Sequence, residues 1–161
     1  MKNISNHFGV YGVFVKDDKL LCINKTAGPY QNRYDLPGGS QEVGESLSET
    51  LVREVKEETG SPVIGYDNNR VYDAFVKPYN DVKTVHHIFA VYDIELDFAN
   101  PTTIPSQVID GDNDSDGTAF IACDTINKTN ASPLVLKIVD EIHKKEGYLD
   151  RSDFLDWHIK A

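Results

Sequence analysis

The sequence predicts an α/β (α+β) fold in which a mixed β-sheet is sandwiched between helices. Two observations predict it. Strand-like runs stand before, between and after two helix-like segments, and each of those segments carries apolar residues at helical spacing that need a sheet face to cover them. With 161 residues the chain is long enough for one sizeable core, so a single domain over 1–161 is expected.

Residues 8–15 are rich in aromatic and β-branched side chains and read as a strand. The polar turn 16–19 leads to a return strand at 20–23, which makes a hairpin. Residues 26–34 form a loop punctuated by Gly28 and Pro29. Leu36-Pro37-Gly38-Gly39 then turns the chain toward a helix at 46–59, which contains no Gly or Pro and stops at Gly60. Two further strands, 71–77 and 82–96, flank the turn Pro78-Tyr79-Asn80-Asp81. Residues 98–117 are an acidic loop and 118–123 a short strand. A second helix over 133–145 places Leu134, Val135, Ile138, Val139 and Ile142 at helical spacing. The tail 148–161, with Leu149, Phe154, Leu155 and Trp157, reads as a last helix docked on the body, a partner chain being the other surface it allows.

Composition excludes several classes. A formal net charge of -10 opposes non-specific binding to a nucleic-acid polymer, which needs a basic footprint. It leaves room for a phosphorylated small molecule, because bound cations reverse the charge of an acidic site. Cys22 and Cys123 lie in apolar runs, as buried reduced thiols do. No run approaches the roughly 18 apolar residues of a membrane helix, and no basic stretch followed by an apolar one opens the chain. A cytoplasmic address is the default expectation, with no membrane partner and a homodimer allowed.

The chemistry-bearing stretch is 39–61. At about 100° per residue, Glu54, Glu57 and Glu58 share one arc of the helix at i, i+3, i+4, so their carboxylates converge. Leu51, Val52, Val55 and Thr59 take the next arc and are expected to face the core. Lys56 falls elsewhere and does not neutralise the cluster. A Glu-rich surface helix is the bland alternative, but converging hard oxygens are what Mg²⁺ or Mn²⁺ requires. Gly38-Gly39 just upstream permits close approach of a backbone carbonyl. Glu45 near the helix start suits the helix dipole, and Arg53 can pair with Glu45 or hold Glu54.

These residues reach a family pattern. Gly39, Glu45, Arg53-Glu54-Val55, Glu57-Glu58 and Gly60 stand at the spacing G-x5-E-x7-R-E-U-x-E-E-x-G-U, and the chain resembles the Nudix hydrolase (MutT-like) family. Ser61 departs from the final aliphatic position, which packs rather than ligates. The resemblance implies a Nudix fold, with Gly39, Glu54, Glu57 and Glu58 as metal ligands for Mg²⁺ or Mn²⁺. It implies Glu54, Glu57 and Arg53 as the catalytic group, Glu54 being either ligand or base, and Glu45 with Arg53 as a supporting salt bridge. Glu42 matches an acidic position of variable role. The implied reaction is hydrolysis of a phosphoanhydride in a nucleoside diphosphate linked to another moiety. The rival readings are a Nudix-fold protein that binds or senses a nucleotide without turnover, and an acidic interaction domain without a metal.

Other candidates are weaker. Tyr30, Arg33 and Tyr34 precede the box, where family members often contact substrate. Asp112 to Gly117 matches half an EF-hand loop, but Cys123 stands where a bidentate Glu is needed. A flexible acidic loop is the simpler account; Asp114 and Asp116 also match the place where family members set one acid toward the metals. His86 and His87, adjacent on a strand, point to opposite faces, so at most one lines a pocket. Since Glu57 and Glu58 are both expected to be exposed, either should be replaceable by Gln without harm to the fold.

Overall fold

The computed structural model describes residues 3–97 and 115–161. Asp114 and the side chain of Asp116 lie outside the described residues, as does the acidic loop reading for most of its length.

Strand β1 (Ile4–Val13) runs parallel to β7 (Thr84–Leu96) through the register Ile4↔Thr84 to Val13↔Asp93. Parallel neighbours need a long crossover, and here it carries most of the other elements. β6 (Val63–Pro78) pairs antiparallel with β7, and β5 (Gly38–Gly39) pairs antiparallel with β1. With β9 (Asp153–Trp157) the order is β5-β1-β7-β6-β9. A smaller sheet joins β2 (Val15–Lys16), β3 (Lys19–Lys25), β4 (Tyr34–Asp35) and β8 (Ser115–Ala122), with β3 pairing the other three.

Helices α1 (Leu47–Thr59) and α2 (Pro133–Ile142) cover opposite faces. Val10 packs with Leu51, Val55 and Ile94 on the α1 side. Its neighbour Tyr11 packs with Phe89, Leu134 and Ile138 on the α2 side, as the period of two along a strand requires. The fold is therefore the expected mixed sheet between helices. Each fully buried Leu or Val contributes roughly 1.5–3 kcal/mol relative to exposure.

α1 begins and ends where the sequence places it. Ser46 is the N-cap: its hydroxyl accepts from the Glu49 N–H, and the Glu49 carboxylate accepts from the Ser46 N–H, both at 3.1 Å. Gly60 closes it in the left-handed region at φ 73.

Four expectations need correction. The predicted hairpin keeps only its tip, Val15–Lys16 against Lys19–Leu20, turning through Asp17 and Asp18 at φ 54 and 60. The chain changes sheets at Phe14, because β1 finds its partner in β7. The second helix stops at Ile142, since Lys144 turns left-handed at φ 51. Val52 is exposed, because it sits at the solvent edge of the α1 stripe whose centre is Leu51 and Val55. The tail is a strand and not a helix: β9 satisfies the open backbone edge of β6 with the parallel register Phe75↔Asp153 and Val76↔Phe154. The turn at Pro78 to Asp81 is present, with the Asp81 N–H donating to the Pro78 carbonyl.

Gly38 makes the closest backbone approach. It has φ 147, and a Cβ there would lie 2.2 Å from the Val10 carbonyl oxygen. Gly38→Ala should therefore lose about 2–4 kcal/mol of stability, read as a lower urea midpoint with an unchanged slope.

Candidate active site

The three glutamates of α1 are not equivalent, and helix geometry says why. Measured from Leu51, their directions fall about 20° (Glu58), 60° (Glu54) and 120° (Glu57) away from the buried stripe. Their exposure follows that order. Glu58 is 3% exposed, the Glu54 side chain 17% and the Glu57 side chain 49%. The expectation that Glu58 is exposed is thus overturned: i+7 from Leu51 places it in the core seam.

Backbone from β5 meets these acids. The Gly38 N–H donates to Glu58 Oε1 at 3.1 Å. A Cβ on Gly39 would come within 2.7 Å of the Glu54 carboxyl carbon, so only glycine lets this carboxylate rest against the strand. Burial pushes the Glu58 carboxyl well above the usual range, against the pull of Lys25 and the Gly38 N–H. Burial also raises Glu54, against the hydrogen bond from Arg53.

Arg53 takes both roles that the sequence left open. Its Nε and Nη2 donate to the two Glu45 oxygens at 2.6 and 2.8 Å, a bidentate pair. Its Nη1 donates to Glu54 Oε1 at 2.9 Å and lies 3.4 Å from Glu57, and Nη2 also reaches the Ser40 carbonyl at 3.1 Å. The hydrogen bonds from Arg53 hold the Glu45 carboxyl down at about 2. Glu42 is mostly exposed, 3.8 Å from Arg53, and its N–H caps Glu45.

Among the described residues, no three acidic, imidazole or thiol groups close into a ready metal cage. The guanidinium of Arg53 here balances Glu54 and Glu57. The residues nevertheless fit a hard divalent cation. The donors are all oxygen, Glu54 is seated where a Cβ would stand, and the buried Glu58 charge is costly until a cation offsets it.

A cavity of about 540 Å³ lies on the Tyr11 side of β1, and its described lining includes none of the α1 acids. Lys25, Tyr11, Tyr30, Asp35 and His87 line it, with Lys83 on its wall. Lys25 and Tyr11 tie the cavity to the carboxylates, since both act electrostatically on Glu54 and Glu58. Burial holds His87 neutral, its pKa lowered to about 3. Its two ring nitrogens face the hydroxyls of Tyr11 and Tyr30 at 3.2 and 2.9 Å. Asp35 is buried, accepting from Ser132 Oγ and the Leu36 N–H, and burial raises its pKa.

Of the three residues singled out before the box, only Tyr30 joins this cavity. Arg33 is buried elsewhere, donating to the Lys128 and His158 carbonyls and lying 4.0 Å over the Trp157 ring. Tyr34 lines a smaller groove with Cys22 and Thr118. His86 turns to the opposite face, bonded to Asp73 and stacked on Phe75. Lys25, Asp35, His7 and Lys83 escaped the sequence reading. They come from four separate segments, and no spacing links them. Cys22 and Cys123 are free and buried, as expected.

Fold and site together define a class: a mixed-sheet sandwich carrying a carboxylate-lined helix against a glycine strand, with a cavity on the Tyr11 side of the sheet. The NUDIX domain matches residues 5–133, and the chain belongs to that family. It is 47% identical over 51 residues to an ADP-ribose pyrophosphatase of Methanocaldococcus jannaschii, a stretch covering 32% of this chain and 30% of that relative. The match thus spans less than a third of the relative's length. Among solved structures, a NUDIX hydrolase from Nitrosomonas europaea aligns with TM-score 0.62 at 21% identity, over 87% of this chain and 90% of that one. The NUDIX domain of Shewanella oneidensis NrtR complexed with ADP ribose aligns with TM-score 0.56 at 13% identity, over 88% of each chain. At such identities these two show the fold.

A carboxyl whose pKa rises on folding favours the folded state below its ordinary value near 4.5 and loses that as pH climbs through the raised value. Metal-free Glu58→Gln should therefore melt higher than the unsubstituted protein at about pH 8, with the gap closing toward pH 4.5. Millimolar Mg²⁺ should raise the melting temperature of the unsubstituted protein and leave the variant's unchanged. Thermal melts with and without Mg²⁺ check both; a variant that melts lower without metal contradicts the burial argument.

Proposed function

We propose that the protein is a pyrophosphohydrolase that uses Mg²⁺ (or Mn²⁺) to hydrolyse a nucleoside diphosphate linked to a second moiety. The observation that carries the reading is the graded helix face Glu58–Glu54–Glu57 seated on Gly38–Gly39, linked through Lys25 and Tyr11 to a cavity of about 540 Å³. That volume suits a nucleoside-sized group.

Glu57, Glu58 and the Gly39 carbonyl would hold the cation, which leaves Glu54 for the base. When bound, it neutralises phosphoanhydride oxygens and lowers the pKa of water. Arg53 orients Glu54 through Oε1 and is itself fixed by Glu45, so its part is positioning. We place the general base on Glu54. Water oxygen attacks phosphorus, the anhydride P–O bond breaks, the proton passes to the carboxylate, and the second phosphate leaves with the bond's electron pair. Lys25 at the border of cavity and carboxylates suits a phosphate oxygen. Neutral His87, with both ring nitrogens engaged, orients the Tyr11 and Tyr30 hydroxyls, whose remaining valences suit the uncharged part of the substrate. The name of the Methanocaldococcus relative makes ADP-ribose the first substrate to try.

A phosphate- and nucleotide-release screen over ADP-ribose, other nucleotide sugars, nucleoside triphosphates, dinucleoside polyphosphates and coenzyme A derivatives tests the proposal. Turnover should need added Mg²⁺ or Mn²⁺, and Glu57→Gln should lower kcat on the best substrate by about 10²-fold or more. Near-normal turnover by that variant refutes the site. Binding of ADP-ribose without product would favour the sensing alternative.

A further inference from the structure

The strand β9 lies beyond the residues that match the family, yet its contacts converge on the wall of the cavity. That wall is the loop between β3 and β4, which contributes Ala27, Gly28, Pro29 and Tyr30 to the lining. The indole Nε1–H of Trp157 donates to the Pro29 carbonyl at 2.8 Å. The same ring meets Tyr30 edge-on at 6.0 Å and takes the Arg33 guanidinium on its face at 4.0 Å. The residues that follow extend the grip. Arg33 Nη2 donates to the His158 carbonyl at 2.8 Å, and Gln31 Nε2 donates to the Lys160 carbonyl at 2.8 Å. β9 is in turn fixed on the sheet by β6, and the Tyr79 N–H donates to the Trp157 carbonyl.

Backbone bonds close this loop at its base, where the Lys25 N–H donates to the Arg33 carbonyl and the Asn32 N–H to the Lys25 carbonyl, but the Pro29 carbonyl and the Tyr30 ring are held on their outer side by the tail. Trp157, 5% exposed, makes both of these contacts. It touches the carbonyl and the aromatic ring that form one side of the cavity. Tyr30 also hydrogen-bonds His87, which Tyr11 holds from the other ring nitrogen, so moving Tyr30 disturbs the hydrogen-bonding groups opposite the wall.

We infer that the C-terminal strand completes the substrate site, with Trp157 acting as a positioning residue that holds the Pro29–Tyr30 wall of the cavity. The inference rests on the reading that this cavity takes the part of the substrate beyond the phosphates. Its consequence is a split between binding and chemistry: Trp157 sets KM, while the acids of α1 set kcat. Because the chain contains a single tryptophan, the emission of Trp157 reports directly on this wall.

The test uses the whole 161-residue chain with Mg²⁺ and the substrate panel described above, ADP-ribose first. Trp157→Phe keeps a ring for Arg33 and Tyr30 but removes the donor to Pro29; Trp157→Ala removes both. Trp157→Phe should raise KM about five- to tenfold with kcat within about twofold, since only the fraction of molecules with an ordered wall binds well. Trp157→Ala should raise it further. Amide hydrogen exchange over residues 26–33 should speed up in both variants while exchange in α1 stays unchanged. In the unsubstituted protein, ligand should shift or quench the tryptophan emission. If Trp157→Ala does not fold, Trp157→Phe decides alone. Unchanged KM and unchanged loop exchange in Trp157→Phe overturn the inference, as does a panel in which no ligand perturbs the emission. A ligand that perturbs the emission without being cleaved overturns the hydrolase reading and leaves the role of Trp157 supported.

Discussion

The pairing of Gly38–Gly39 with β1 is the contact on which the site depends. It brings backbone within van der Waals reach of Val10 and Tyr11 on one side and of the α1 carboxylates on the other. Any side chain at Gly38 would push the strand off Val10, and any at Gly39 would displace Glu54. The Gly38 N–H also supplies the hydrogen bond that makes the burial of Glu58 tolerable. One two-residue strand thereby sets the position of the helix, the acids and the Tyr11 side of the cavity.

Around that contact the charges are arranged in layers. Glu45 is held ionised by Arg53, Arg53 is oriented by Glu45, and its remaining reach goes to Glu54 and Glu57. Toward the core, Glu58 is buried with its charged form disfavoured. Such an array is poorly balanced without a cation, since like charges at i, i+3 and i+4 repel. Stability given up at a functional site is a recurring compromise, and here it is confined to one turn of α1 whose ends are secured by Ser46 and Gly60.

The cavity is built differently, from residues scattered over the chain. β1 brings Tyr11, the end of β3 brings Lys25, the following loop brings Tyr30, and β7 brings His87. The two histidines of β7 illustrate the division of labour. His86 is used on the outer face with Asp73 and Phe75, and His87 is enclosed between two tyrosines. Alternation along the strand foretells that they part company; which of them meets the cavity depends on the sheet face that α2 covers.

What the sequence determined by itself is everything governed by local geometry. Helix α1 with its glycine stop and the convergence of Glu54, Glu57 and Glu58 follow from a repeat of 3.6 residues and need no distant partner; the pairing of Arg53 with Glu45, which stands before the Ser46 cap, is likewise local in sequence. The grading of the three acids was also implicit, because Glu58 stands seven residues from Leu51, though reading the acids as one exposed face concealed it. Tertiary structure alone decided the rest. Phe8 to Val13 looks like half of a hairpin, yet its backbone pairs with a strand some 80 residues away. The tail has helical-looking apolar spacing, yet it becomes a strand because β6 offers an unpaired edge. Arg33 looks fit for a phosphate, yet the Trp157 ring and two carbonyls claim it. In each case a backbone edge or a buried charge had to find its partner, and the identity of that partner is written in the packing of the whole chain rather than in its neighbours.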